Sequence, residues 1–216
     1  GVDLSEASLA STDLSKARMA GVALAGSDLT EARLVGADLR YSICHKAVFD
    51  KADLHHANLW NIDMRGASAK ETIFCKCWLG NSNLVDADFR GADFSGAWIT
   101  AADLSNSLLG ASTLAGVSLA RACMKEVDLT GAFAVGADFR STILNGAIMR
   151  AANLSGANLR EASLIDADLS LADLVGADLR GAQLDGAVLN GSRHDGTTRW
   201  PETFKPLTSG GIESHE

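Results

Sequence analysis

The sequence predicts an all-β fold, a single solenoid of the parallel β-helix kind, on three observations. Every fifth residue from Leu4 to Leu189 is large and apolar, and of these 38 positions only Cys44, Ala69 and Ala134 are not Leu, Met, Phe or Ile. Two residues before each stands a second column, beginning Val2, Ala7, Thr12 and Ala17, which stays small except at Ile62. No insertion breaks either column, and a fixed short period of this kind overrides local helix or strand preferences.

An α-helix cannot use a spacing of five, because at about 100° per residue the column would wander round the cylinder. A flat strand fails as well, since its period of two would send alternate members to opposite faces. A chain that turns one corner per five residues satisfies the pattern, with one large and one small side chain pointing inward each time. Gly recurs at the fifth place of the unit, as at Gly26, Gly36, Gly66, Gly91, Gly136 and Gly181, where a corner with positive φ favours it. These glycines belong to turns, and no Gly-x-Gly-x-x-Gly precedes a helix.

Units such as Ala37-Asp38-Leu39-Arg40, Ala52-Asp53-Leu54-His55 and Ala177-Asp178-Leu179-Arg180-Gly181 resemble the A(D/N)LXX signature of the pentapeptide-repeat family. The resemblance implies a right-handed quadrilateral β-helix with four pentapeptides, or 20 residues, per coil. Nine to ten coils at about 4.8 Å each would make a rod of roughly 45 Å. Residues 1–192 form this helix, 193–206 a C-terminal cap, and 207–216 a polar, Gly-rich tail expected to be disordered. In the cap, His194 and Arg199 fall where inward apolar residues belonged, and Trp200 and Phe204 are the expected lid over the last coil. No such lid precedes the first coil, and an open rod end is a place where two copies could associate. The chain begins at Gly1 with Val2 already in register, which points to an upstream segment or processed leader.

With 20 residues per coil, the interior can be read in stacked columns. Ala69 then lies between Phe49 and Phe89, a large-small-large order that conserves volume, while Phe74 and Phe94 stack in the next column. Ala134 has no comparable neighbour in its column, which leaves room for a small cavity, and nothing in the column accounts for Cys44.

Chemistry is sparse. Twelve aspartates, from Asp28 to Asp178, precede inward residues, and their regularity assigns them to hydrogen bonds with turn backbone. His55 and Cys75 stack with His56 nearby, without enough ligands for a metal. Cys44, Cys75, Cys77 and Cys123 lack zinc spacing and read as free thiols. The sequence offers no catalytic set, no cofactor motif and no metal site, so an enzyme is not expected. A net charge of −8 and a pI near 5.1 argue against direct nucleic-acid or membrane binding. The chain reads as a bacterial, cytoplasmic protein.

The sharpest departure from the repeat is aromatic. Trp78 and Trp98 occupy the outward place of Asp or Asn one coil apart, Trp60 faces the same way one coil earlier, and Tyr41 and Arg40 lie just beneath it. Exposed aromatic residues with arginine make an interaction hot spot. The leading expectation is therefore a non-enzymatic protein-interaction scaffold whose partner docks at Arg40, Tyr41, Trp60, Trp78 and Trp98. The alternative, implied by the acidic charge and by family members tied to fluoroquinolone resistance, is a DNA mimic that inhibits or protects DNA gyrase or another topoisomerase. Further along this face Arg140, Arg160 and Arg180 form a ladder flanked by Asp138, Asn158 and Asp178, which reads as mutual neutralisation.

Overall fold

The chain coils because each five-residue unit closes a corner and then donates its remaining backbone groups to the coils on either side. In the computed structural model, which describes residues 2–205, the unit at Leu39 shows the scheme. Leu39 N–H donates to Asn58 O of the next coil at 2.8 Å and Tyr41 N–H to Trp60 O at 3.1 Å, while Ser42 N–H closes the corner on Leu39 O at 3.1 Å. Ile43 N–H then reaches back to Val22 O at 3.0 Å. Repetition links every outward residue to its counterpart 20 residues on in a parallel bridge, from Asp3 with Ala23 to Asp173 with Arg193. The result is a right-handed, four-sided β-helix. Its faces are numbered here by their inward residues: face 1 from Leu4, face 2 from Leu9, face 3 from Leu14 and face 4 from Met19. Coil 1 spans 2–21, and each later coil adds 20 residues up to coil 9 at 162–181.

The corners from Glu6 to Gly191 share one backbone conformation. The last residue of every unit has positive φ, whether it is one of 15 glycines at 61° to 72° or one of 23 other residues at 53° to 61°. With the turn bond across it, this is the type II pattern, which requires positive φ at its third residue. Side chains as large as Tyr41 and Leu171 are held there, so the stacked hydrogen bonds outweigh a local cost of about 1–2 kcal/mol per residue.

The core is a stack of four-residue layers, buried from Met19 to Leu184, while Leu4, Leu9 and Leu14 of the first coil are only partly covered. Phe49, Phe74, Phe89 and Phe94 have no exposed surface. The Phe74 and Phe94 rings are stacked, 4.7 Å apart and 4° from parallel, and Phe89 meets both edge-on. Polar members of the small column are satisfied internally, as where Ser42 Oγ donates to Met19 O at 2.8 Å and Thr72 Oγ1 to Phe49 O at 2.6 Å. Ser112 Oγ is the exception, buried without a partner among the described residues.

Layers, not columns alone, balance large and small residues, and Ala134 has a large neighbour that its column does not show. Its coil also carries Phe139, fully buried on the adjoining face. Ala69 shares its coil with Phe74 and Cys44 with Phe49, so each shortened position is followed five residues later by a phenylalanine. Cys44 thus has a packing reason that its own column does not reveal.

The C-terminal register also differs from the sequence reading. Asp173 bridges Arg193 at a separation of 20, but Asp178 bridges Arg199 at 21. One extra residue enters the turn at 195–198, where Asp195 Oδ1 accepts the Thr197 N–H at 2.8 Å and Thr198 Oγ1 donates to Leu174 O at 2.9 Å. Arg199 therefore points outward, and Trp200 takes the large place over Leu179. His194 packs edge-on against Trp200, and the Trp200 and Phe204 rings are tilted 32° to one another, each pair with ring centroids 5.3 Å apart. The expected tail, 207–216, lies outside the described residues.

Candidate functional site

Face 4 departs most from the repeat. Its outward row runs Arg18, Asp38, Asn58, Trp78, Trp98, Ser118, Asp138, Asn158, Asp178 and Arg199, joined by successive parallel bridges. A carboxylate or amide in this row accepts the backbone N–H two residues on, as Asp38 does from Arg40 at 3.3 Å and Asn58 from Trp60 at 3.2 Å. Trp78 and Trp98 cannot make that bond, and their indoles lie on the surface instead, centroids 5.6 Å apart and tilted 57°.

Trp60 joins them from the following position of the unit. A Cβ built on Gly80, directly above it, would fall 2.2 Å from the Trp60 ring, so the indole lies flat in the space that glycine leaves. Trp60, Trp78 and Trp98 are 37%, 55% and 47% exposed, and Tyr41 at the corner below is 58% exposed. Arg40 lies under Trp60, but its guanidinium is forked onto Asp38 with bonds of 2.8 and 2.7 Å. It is a rigid member of the rim and not a free cation.

The patch is not the whole exposed apolar surface. Ile43 and Ile143 on face 1, Leu108 and Ile148 on face 2 and Phe133 on face 3 also point outward and are substantially exposed. Their columns were legible in the sequence, yet only the tryptophans occupy adjacent coils of one face.

The aspartates serve the turns. All twelve accept the backbone N–H two residues on, at 2.8 to 3.3 Å. Asp38, Asp88, Asp138 and Asp178 are also forked by an arginine two residues later, which holds their carboxyls below the ordinary value. Cys75 Sγ faces Asp93 O at 3.9 Å, and burial pushes its thiol up to about 12. Among the described residues no three His, Cys, Asp or Glu side chains converge as a metal site, and no helix is long and apolar enough to cross a membrane.

A sequence model of pentapeptide repeats matches the chain in 8 copies, whose spans together cover residues 3–106 and 122–191. The chain belongs to the pentapeptide-repeat family. It is similar to HetL, a pentapeptide repeat protein involved in heterocyst differentiation regulation from the cyanobacterium Nostoc sp. strain PCC 7120. The identity is 29%, 88% of each chain is covered and the TM-score is 0.80. QnrB1, a plasmid-mediated fluoroquinolone resistance protein, shares the fold at a TM-score of 0.50, with 19% identity over 88% of this chain and 92% of its own. A comparison with curated protein sequences returns no match.

Proposed function

We propose that this pentapeptide-repeat rod is a non-enzymatic scaffold that docks an apolar segment of a partner protein on face 4, through Trp60, Trp78 and Trp98 with Tyr41 and Arg40 at the rim. The observation that carries the reading is three adjacent coils of one face exposing tryptophan. Large aromatic rings supply most of the energy of protein interfaces when a partner desolvates them. The flanking groups are mostly uncharged or paired, Asn58, Asn61, Asn81 and the pair of Arg40 with Asp38, and Lys76, two residues before Trp78, adds a cation at the rim. Likeness to HetL, a protein of regulation, supports a binding role over a catalytic one. Free thiols at all four cysteines accord with work in a reducing, bacterial cytoplasm.

The DNA-mimic reading has weaker support, because an arginine neutralises each aspartate of the face 4 row, Asp38, Asp138 and Asp178, and the likeness to QnrB1 at 19% identity is one of fold.

The test is a partner recovered on immobilised protein and its affinity measured against variants. Trp78→Ala with Trp98→Ala should weaken it by about 2 kcal/mol or more, while Ile143→Ser, an equally apolar change on face 1, should not. Equal binding by the double variant, or equal loss in Ile143→Ser, would overturn the assignment.

A further inference from the structure

Two coils beyond Trp98, face 4 changes from aromatic to basic. Arg140, Arg160 and Arg180 follow one another on coils 7 to 9, about 4.8 Å per step, and they are not equivalent. Arg140 is forked onto Asp138 with bonds of 2.8 and 2.7 Å, and Arg180 onto Asp178 with bonds of 2.9 and 2.6 Å. Arg160 stands where the flanking residue is Asn158, whose Oδ1 accepts only the Arg160 backbone N–H, at 3.3 Å. Among the described residues no carboxylate lies within ion-pair distance of the Arg160 guanidinium, nor of Arg121 at the neighbouring corner. The ladder is therefore neutralised at its first and third rungs and open at its second.

That open rung borders a groove of about 340 Å³ at the corner between faces 4 and 1, lined by Ala120, Arg121, Arg140, Ser141, Arg160 and Glu161. Its volume falls within the range of small-molecule sites, but it lacks the apolar walls such sites usually have. Three arginines line one space with a single lining carboxylate, and of the three only Arg140 is ion-paired among the described residues, with Asp138. Glu161 is itself turned toward the coil below, where its Oε2 accepts the Ser141 hydroxyl at 3.2 Å. The unpaired charges of Arg121 and Arg160 on one groove repel, and an anion between them offsets that repulsion. A guanidinium presents paired N–H donors that match the two oxygens of a carboxylate or phosphate.

We propose that this groove is an oxyanion-binding site that takes a multiply charged carboxylate or phosphate group, with Arg160 as the principal donor, Arg121 as the second cation and the already paired Arg140 as a fixed wall. Glu161, the one lining carboxylate, opposes any anion in the groove and weakens its binding. The site stands apart from the aromatic patch and needs no protein partner to be occupied. The same chemistry is offered by acidic side chains of a protein segment or by a free diphosphate.

Titration calorimetry of the full chain at low ionic strength, with inorganic pyrophosphate and separately with a hexaglutamate peptide, distinguishes these sources. Saturable one-to-one binding of at least one probe is expected, weakened about tenfold or more by Arg160→Gln. Arg33→Gln removes the same charge from face 3, where Arg33 pairs loosely with Asp13 at 3.5 Å, and should leave binding nearly intact. Glu161→Gln should tighten it. Binding of pyrophosphate alone identifies a free phosphate ligand, and binding of hexaglutamate an acidic protein segment. The proposal is overturned if neither probe saturates, if Arg33→Gln weakens binding as much as Arg160→Gln, or if Glu161→Gln weakens it. Because these titrations contain no protein partner, they stand or fall separately from the tryptophan variants.

Discussion

Phe139 occupies the same coil as Ala134, one face further on, and both are buried. The pair keeps the layer's volume near that of coils 2 and 9, where Leu24, Leu29, Leu34 and Leu39, or Leu164, Leu169, Leu174 and Leu179, fill the four places. Ala134→Leu alone overfills the layer and should cost about 1–3 kcal/mol. Phe139→Leu alone should leave a void and cost about 1 kcal/mol. Together they return the layer to a pattern that the rod already accommodates, so denaturant unfolding should show the double variant more stable than the sum of the single changes, by at least about 0.5 kcal/mol. Additive losses would mean that Ala134 and Phe139 do not share space.

Among the described residues Ser112 Oγ has no hydrogen-bond partner, and it is buried in a column where alanine is the commonest residue. Replacing it with alanine removes an unsatisfied hydroxyl and leaves no void larger than one atom. Ser112→Ala should therefore stabilise the rod, by about 1 kcal/mol, whereas Ser42→Ala, which breaks the bond to Met19 O, should destabilise it. Thermal melts of the two variants should move in opposite directions.

The repeat period, the inward columns and the outward place of the tryptophans were legible because each depends only on spacing. What spacing could not show depends on contacts between faces or on one unit out of step. The partnership of Ala134 with Phe139 crosses from face 3 to face 4 and is invisible in a single column. The turn at 195–198 carries one extra residue, so counting by fives put Arg199 inside, where the structure puts Trp200. The groove beside Arg160 follows from Asn158 standing where its neighbours have Asp, a difference that looks like ordinary variation in the repeat until the ion pairs are traced.

Corner geometry gives a third prediction. Gly156 has a φ of 64° and open space where a Cβ would go, so Gly156→Ala isolates the conformational cost, about 1 kcal/mol. Leu171 holds the same conformation at 61° with 67% of its surface exposed. Leu171→Gly should relieve it and raise the melting temperature, and a lower one would mean that contact with Gly191 on the next coil matters more than the backbone.

Acid should loosen the rod through its aspartates. The Arg140 guanidinium beside Asp138, with the Arg140 backbone N–H, holds that carboxyl below the ordinary value of 3.8 in the folded chain. A depressed folded value means stability that is fully present above 3.8 and lost as pH falls through the lower value. The Asp88 and Asp178 carboxyls behave alike. Asp138→Asn keeps a backbone acceptor and loses the titrating charge, so between pH 7 and pH 3 its melting temperature should fall less than that of the wild type. A parallel fall would assign acid sensitivity to other groups.

The contact between Trp60 and Gly80 tests the aromatic patch without deleting any aromatic ring. The indole lies where a Gly80 side chain would go, and a methyl group there would approach it to 2.2 Å. Gly80→Ala must push the ring outward, while the backbone of Gly80, which has no positive φ, accepts alanine without strain. The Leu59 and Leu79 side chains behind it stay buried, so the melting temperature should move little, in contrast to the 3–5 kcal/mol or so lost when a core aromatic is truncated. Acrylamide should quench the displaced Trp60 more strongly, read in a background where Trp78, Trp98 and Trp200 are replaced by Phe. In the otherwise native chain, partner affinity should fall with Gly80→Ala because the three rings no longer present one surface. Unchanged quenching would mean that Trp60 does not rest on Gly80. Increased quenching with full partner affinity would place the docking surface on Trp78 and Trp98 alone.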